Sequence, residues 1–88
     1  MKPPVRLRIT VRYFAAARAA AAAEAETIDL SEGANVGELI DGLKARDAGL
    51  ANVLARCSYL CDGLAVRDMG MTLSDAQTVD VLPPFAGG

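Results

Sequence analysis

Apolar and polar residues alternate through the first strand-like run. Val5, Leu7, Ile9, Val11 and Tyr13 interleave with Arg6, Arg8, Thr10 and Arg12. A period of two predicts a strand over Val5–Tyr13 with one buried face and one cationic face in water. The row reads as a solvated face whose charge discourages edge pairing, with a stripe that binds an anion or steers toward acidic partners as the alternative. Phe14–Ala25 is alanine-rich, interrupted by Arg18 and Glu24. Alanine favours helix, but a segment this short is marginal alone, so Phe14 is expected to dock it. Glu26, Ile28 and Leu30 against Thr27 and Asp29 predict a second strand.

The period then changes. Val36, Leu39, Ile40 and Leu43 recur at helical spacing behind Asn35-x-x-Glu38, an arrangement close to a capping box. Lys44 and Arg46 suit the negative end of that helix dipole. A further short helical turn is expected over Leu50–Arg56. Ser58–Cys61 and Leu64–Arg67 read as strands joined by Asp62-Gly63, a strong hairpin signal. No element is expected of Met69–Leu73. Val79 and Val81 on one face, with Asp80 on the other, predict a last strand that Pro83-Pro84 ends, because proline cannot donate to a ladder. Strands on both sides of a central helix make this an α+β chain, a mixed sheet packed on one main helix. Residues 1–84 are expected to form one domain and residues 85–88 a flexible tail.

Composition narrows the chemistry. The 88 residues are 52% hydrophobic, but 17 are alanine, so the larger apolar side chains suffice for one small core. Histidine and tryptophan are absent and the net charge is −2. Without histidine the commonest general base and metal ligand are missing, and no metal site is expected. The charge argues against a nucleic-acid partner. No apolar run is long enough to span a bilayer and no targeting segment is visible, so no membrane partner and a cytoplasmic location are expected. Cys57 and Cys61 on one strand would stand ~13 Å apart, too far for a bridge. Both read as small buried hydrophobes.

The chemistry that remains is at the end of the chain. Val79-Asp80-Val81-Leu82-Pro83-Pro84-Phe85-Ala86-Gly87-Gly88 resembles the C-terminus of the MoaD/ThiS family of ubiquitin-like sulfur carriers. Val11-Arg12-Tyr13-Phe14-Ala15-Ala16-Ala17-Arg18 is similar to that family's first strand and its exit. The resemblance implies a ubiquitin-like β-grasp and a carrier rather than a catalyst. It implies that a partner enzyme adenylates the Gly88 carboxylate with ATP, that the product becomes a thiocarboxylate, and that the chain itself binds no cofactor. The Pro-Pro pair points to the molybdopterin branch. There the sulfur goes to cyclic pyranopterin monophosphate on the large subunit of molybdopterin synthase, in a heterotetramer.

The residues fit such a role. Gly87 and Gly88 carry no Cβ, so a tail of Pro83, Pro84, Phe85, Ala86, Gly87 and Gly88 can thread a narrow pocket. From Leu82 to Gly88 it reaches roughly 20 Å when extended. Phe14 and Phe85, with Leu60 or Met71, are expected to form an apolar patch for both partners. A carrier for thiamine or cysteine synthesis, or a protein modifier joined to lysines, would share the tail. A [2Fe–2S] electron carrier needs four cysteines and is excluded. Three places depart from the family, one of them Phe85, which is bulkier than the small aliphatic residue often found there and is expected to alter partner fit. Asp62-Gly63 stands where Asn-Gly is frequent, with no change of turn type expected. Asp75-Ala76-Gln77 stands where Asp-Gly-Asp is usual, and because alanine tolerates positive φ poorly, a different turn type or register is expected there.

Overall fold

A computed structural model describes residues 6–84. Its elements are β1 (Arg6–Tyr13), α1 (Ala16–Ala21), β2 (Ala25–Ser31), α2 (Val36–Lys44), α3 (Ala48–Leu54), β3 (Ser58–Cys61), β4 (Leu64–Ala65) and β5 (Thr78–Leu82). The five strands form one sheet in the order β2-β1-β5-β3-β4. β1 and β5 run parallel and the other neighbours antiparallel. This is the mixed β-grasp arrangement, with the helices on one face.

The core lies where the two predicted periodicities meet. Leu7, Ile9, Val11 and Tyr13 point from β1 toward Val36, Leu39, Ile40 and Leu43 of α2, and Leu50, Leu54, Val79 and Val81 join the same cluster. Asn35 Oδ1 accepts from Glu38 N–H at 2.8 Å and Asn35 N–H donates to Glu38 Oε1 at 3.2 Å, so the capping box is complete.

The Met69–Leu73 connection acquires a role that no local pattern showed. Val36 N–H donates to the Met71 carbonyl at 3.0 Å and Gly37 N–H to the Met69 carbonyl at 2.8 Å. Both would otherwise be orphan donors in the first turn of α2. A Cβ on Gly37 would stand 3.3 Å from the Met69 oxygen, so the glycine lets this strap lie close. Met71 thus packs on the core, not on a patch with Phe14.

Several expectations need correction. β1 is flanked on both sides, so its arginine row does not guard an edge. The alanine-rich helix has only six residues, and the fully buried Ala17 docks it while Phe14 stays half-buried. Cys61 is buried, but Cys57 is only half-buried, and it lies before β3 with its thiol donating to the Val53 carbonyl at 3.2 Å. Burial raises the pKa of both thiols, which makes them poor nucleophiles.

In the Ser74–Gln77 turn alanine takes a conformation that glycine favours. Ala76 adopts φ +68°, while Gln77 N–H donates to the Ser74 carbonyl at 3.3 Å. That is the glycine-favouring position of a type II turn. The turn is pinned to β1, where Arg8 N–H donates to Asp75 Oδ1 at 2.8 Å and Ala76 N–H to the Arg8 carbonyl at 3.0 Å. Tertiary pairing therefore carries a conformation costing ~1–2 kcal/mol for an L-residue. Ala76→Gly should stabilise the domain by ~0.5–1 kcal/mol, the strain relieved less the extra entropy of the unfolded glycine. Urea denaturation would show a higher midpoint; an unchanged or lower midpoint would mean the turn is unstrained. Asp62 at φ +48° and Gly63 at φ +84° form the expected two-residue hairpin turn.

The two tyrosines tie the layers together. Tyr13 OH donates to Glu26 Oε2 at 2.7 Å, and Arg46 Nη1 donates to Glu26 Oε1 at 2.7 Å. Burial pushes the Glu26 pKa up, but the bonds from Tyr13 and Arg46 outweigh it and hold the carboxyl below its ordinary range. Tyr59 OH donates to the Leu54 carbonyl at 2.7 Å. Burial above all, and then the charge of Cys57, raise its pKa to about 12; burial and the Glu26 bond raise that of Tyr13. Because these folded-state values exceed the ~10 of an unfolded tyrosine, the stability they represent is complete below pH ~10 and lost as pH rises through the folded values. The melting temperature should fall between pH ~10 and about 12, less steeply in Tyr59→Phe. Equal slopes would show that Tyr59 is not responsible.

Candidate functional site

β5 is the last strand before the C-terminal residues. It lies between β1 and β3, its backbone held on both sides, and ends at Leu82. Phe14 N–H donates to the Val81 carbonyl at 3.2 Å, extending the hold one residue past β1. Pro83 follows half-buried and Pro84 exposed. The expected tail residues Phe85, Ala86, Gly87 and Gly88 lie outside the described residues.

Beside this exit is the helix-free face of the sheet. Strand register places Ala25, Arg12, Asp80, Leu60 and Ala65 in one row across all five strands. Leu82, paired with Ser58, shares that face toward the exit. Leu60 and Leu82 are half-buried. Phe14 is on the same side, its ring 5.7 Å from the Arg12 guanidinium carbon. Of the expected apolar patch, Phe14 and Leu60 therefore share a face and Leu82 joins them.

An ion pair occupies the middle of that row. Arg12 Nε donates to Asp80 Oδ1 at 2.6 Å and Nη2 to Oδ2 at 2.9 Å. The Asp80 side chain is 9% exposed and that of Arg12 is 53% exposed. A carboxylate so buried needs a partner, and the fork supplies one in bidentate geometry. The hydrogen bond to Asp80 and then its charge raise the Arg12 pKa further. Farther along β1, Arg8 faces Asp29 of β2 at 3.7 Å. Sequence reading missed these neutralising partners. The one local hint is an aspartate inside the apolar run Val79–Leu82, and its partner is 68 residues away.

Among the described residues no cluster of three His, Cys, Asp or Glu side chains could hold a metal. No helix among them is long and apolar enough to cross a membrane. What this geometry offers is a partly apolar face with an ion pair at its centre, beside the strand that ends at Leu82.

Comparison with known proteins then decides the family. Residues 11–88 match the ThiS family. The chain belongs to it. The molybdopterin synthase sulfur carrier subunit of Chlamydomonas reinhardtii is 30% identical to this ThiS-family chain over 93% of its length and 100% of the relative's. The structure named molybdopterin converting factor, subunit 1, from Pyrococcus furiosus superposes with a TM-score of 0.81 at 30% identity, covering 90% of this chain and 99% of its own. A Helicobacter pylori complex of molybdopterin-converting factor subunits 1 and 2 contains the same fold, with a TM-score of 0.65 at 21% identity over 93% of this chain and 100% of that one.

Proposed function

We propose that this chain is the sulfur carrier subunit of a molybdopterin synthase, with the Gly88 carboxylate as its reacting group. The observation that carries the reading is the match to ThiS-family and molybdopterin carriers, together with a β5 that ends at Leu82 and is followed in the sequence by Pro83-Pro84 and the terminal Gly87-Gly88. The carboxylate of Gly88 attacks the α-phosphorus of ATP on an adenylating partner and expels pyrophosphate. A sulfide-equivalent nucleophile then displaces AMP at the acyl carbon, leaving a thiocarboxylate. That sulfur attacks cyclic pyranopterin monophosphate on the large synthase subunit, and water then cleaves the C–S bond to Gly88, returning its carboxylate.

Each step uses what this chain has. A carboxylate is a poor electrophile, and AMP gives it a leaving group. The acid–base groups come from the partners, consistent with a chain that has no histidine. Pro83 and Pro84 stiffen the tail base, which lowers the entropy lost on threading. Phe14, Leu60 and Leu82, with Phe85 of the tail, form the docking face for both partners. The relative in a two-subunit complex suggests the second of them.

Intact mass after incubation with ATP, the adenylating enzyme and a sulfur donor tests this reading. The expected gain equals one oxygen exchanged for one sulfur, confined to the terminal peptide. No gain with an enzyme competent on another carrier would overturn it.

A further inference from the structure

We propose that Arg12 is the polar contact of the docking face, offering its outward N–H groups to a carboxylate on the adenylating enzyme and so helping to select that partner. The proposal rests on the carrier reading above.

Two observations single Arg12 out from the other arginines of β1. Its fork is fixed from two directions, by both Asp80 oxygens and by the Phe14 ring beneath it. It also stands at the centre of the face, in the row shared with Leu60 and Ala65 and beside Leu82. Only Nε and Nη2 are engaged by Asp80, and Nη1 makes no hydrogen bond within the described residues. A guanidinium held this way has already lost most of the freedom that docking would cost it.

Any partner that covers Phe14, Leu60 and Leu82 must also cover Arg12. Desolvating the Nη1 donors against apolar surface would leave them unsatisfied, which opposes binding. A carboxylate in that place satisfies them and is matched by charge. The Asp80 carboxylate cannot compete for a partner's cation, because both of its oxygens are taken by Arg12 and its side chain is 9% exposed. Next to Phe14, Leu60 and Leu82 the outward charge is therefore that of Arg12, the Arg8–Asp29 pair lying farther along β1. The face discriminates against partners lacking an acidic group there.

The test is steady-state thiocarboxylation of the full chain by the adenylating enzyme of the same organism, with the carrier as varied substrate. Arg12→Gln should raise KM for the carrier ~10-fold or more while kcat stays within about twofold, since the contact is distant from the reacting carboxylate. Wild-type KM should rise with added salt and that of Arg12→Gln should not. A purely structural Arg12–Asp80 pair would leave the two salt responses alike. An unchanged KM, or parallel salt responses, overturns the proposal. Should Arg12→Gln melt too low to assay, Arg12→Lys serves instead, keeping the charge and losing the fork. A KM several-fold above wild type supports the contact, and a wild-type KM overturns it. If the wild-type chain itself takes up no sulfur, the carrier reading has failed; if it does and the variants match it, only the Arg12 contact has.

Discussion

Deleting Gly88 should reduce thiocarboxylate formation by more than ~100-fold while leaving the melting temperature unchanged. The deletion retracts the carboxylate proposed to react by one residue, ~3.5 Å of extended chain. Misplacement by even ~1 Å from a productive geometry can cost ~100-fold. No described core residue lies beyond Val81, so the fold has nothing to lose. Thermal melting and the sulfur-exchange mass assay, run on the same preparation, read both halves. Undiminished sulfur uptake by the shortened chain would remove Gly88 from the chemistry. Equal binding of both forms to the adenylating enzyme, with no sulfur taken up by either, would favour a plain interaction module.

The largest expected loss of stability follows Ile9→Ala. Ile9 sits at the middle of β1 with no exposed surface, opposite the buried stripe of α2. Isoleucine-to-alanine changes at such sites cost ~2–5 kcal/mol through lost transfer energy and the cavity left behind. A domain of this size holds only ~4–13 kcal/mol in total, taking ~0.05–0.15 per residue. The melting temperature should drop by ~10–30 °C, at ~4–8 °C per kcal/mol. Ile28, on β2 at the sheet edge and only partly buried, supplies the comparison; Ile28→Ala should cost distinctly less. Equal losses in the two variants would mean that the core is not centred on β1 and α2.

Much of this architecture is legible in residue order because its causes are local. The α2 stripe, its Asn35–Glu38 box and the Asp62-Gly63 turn each depend on residues within a few positions of one another. The alternation along β1 and β5 likewise exposes which side chains are buried. The ending that resembles the ThiS family is contiguous too. Elements without such local causes were misread. The alanine-rich stretch has helix propensity throughout, yet it yields only Ala16–Ala21, because Ala15 at φ 50°, ψ −125° and the left-handed Ala22 bound it. Propensity cannot show where a short helix must stop to let β2 pair with β1.

Which strand neighbours which is a different kind of fact. β5 lies parallel to β1 across more than 60 residues of chain, and nothing in either strand's periodicity names the other. From that pairing follow the burial of Asp80 against Arg12, the strained φ of Ala76 under Arg8, and the Met69–Met71 strap over α2. Residue order alone sufficed for the buried faces, the caps, the hairpin and the family of the tail, since those arise from side-chain period and backbone preference within one element. The shared face of Phe14, Leu60 and Leu82 needed the folded sheet. A buried carboxylate, a fork locked above an aromatic ring and leucines from two strands become one surface only when hydrogen-bonded registers bring distant segments side by side.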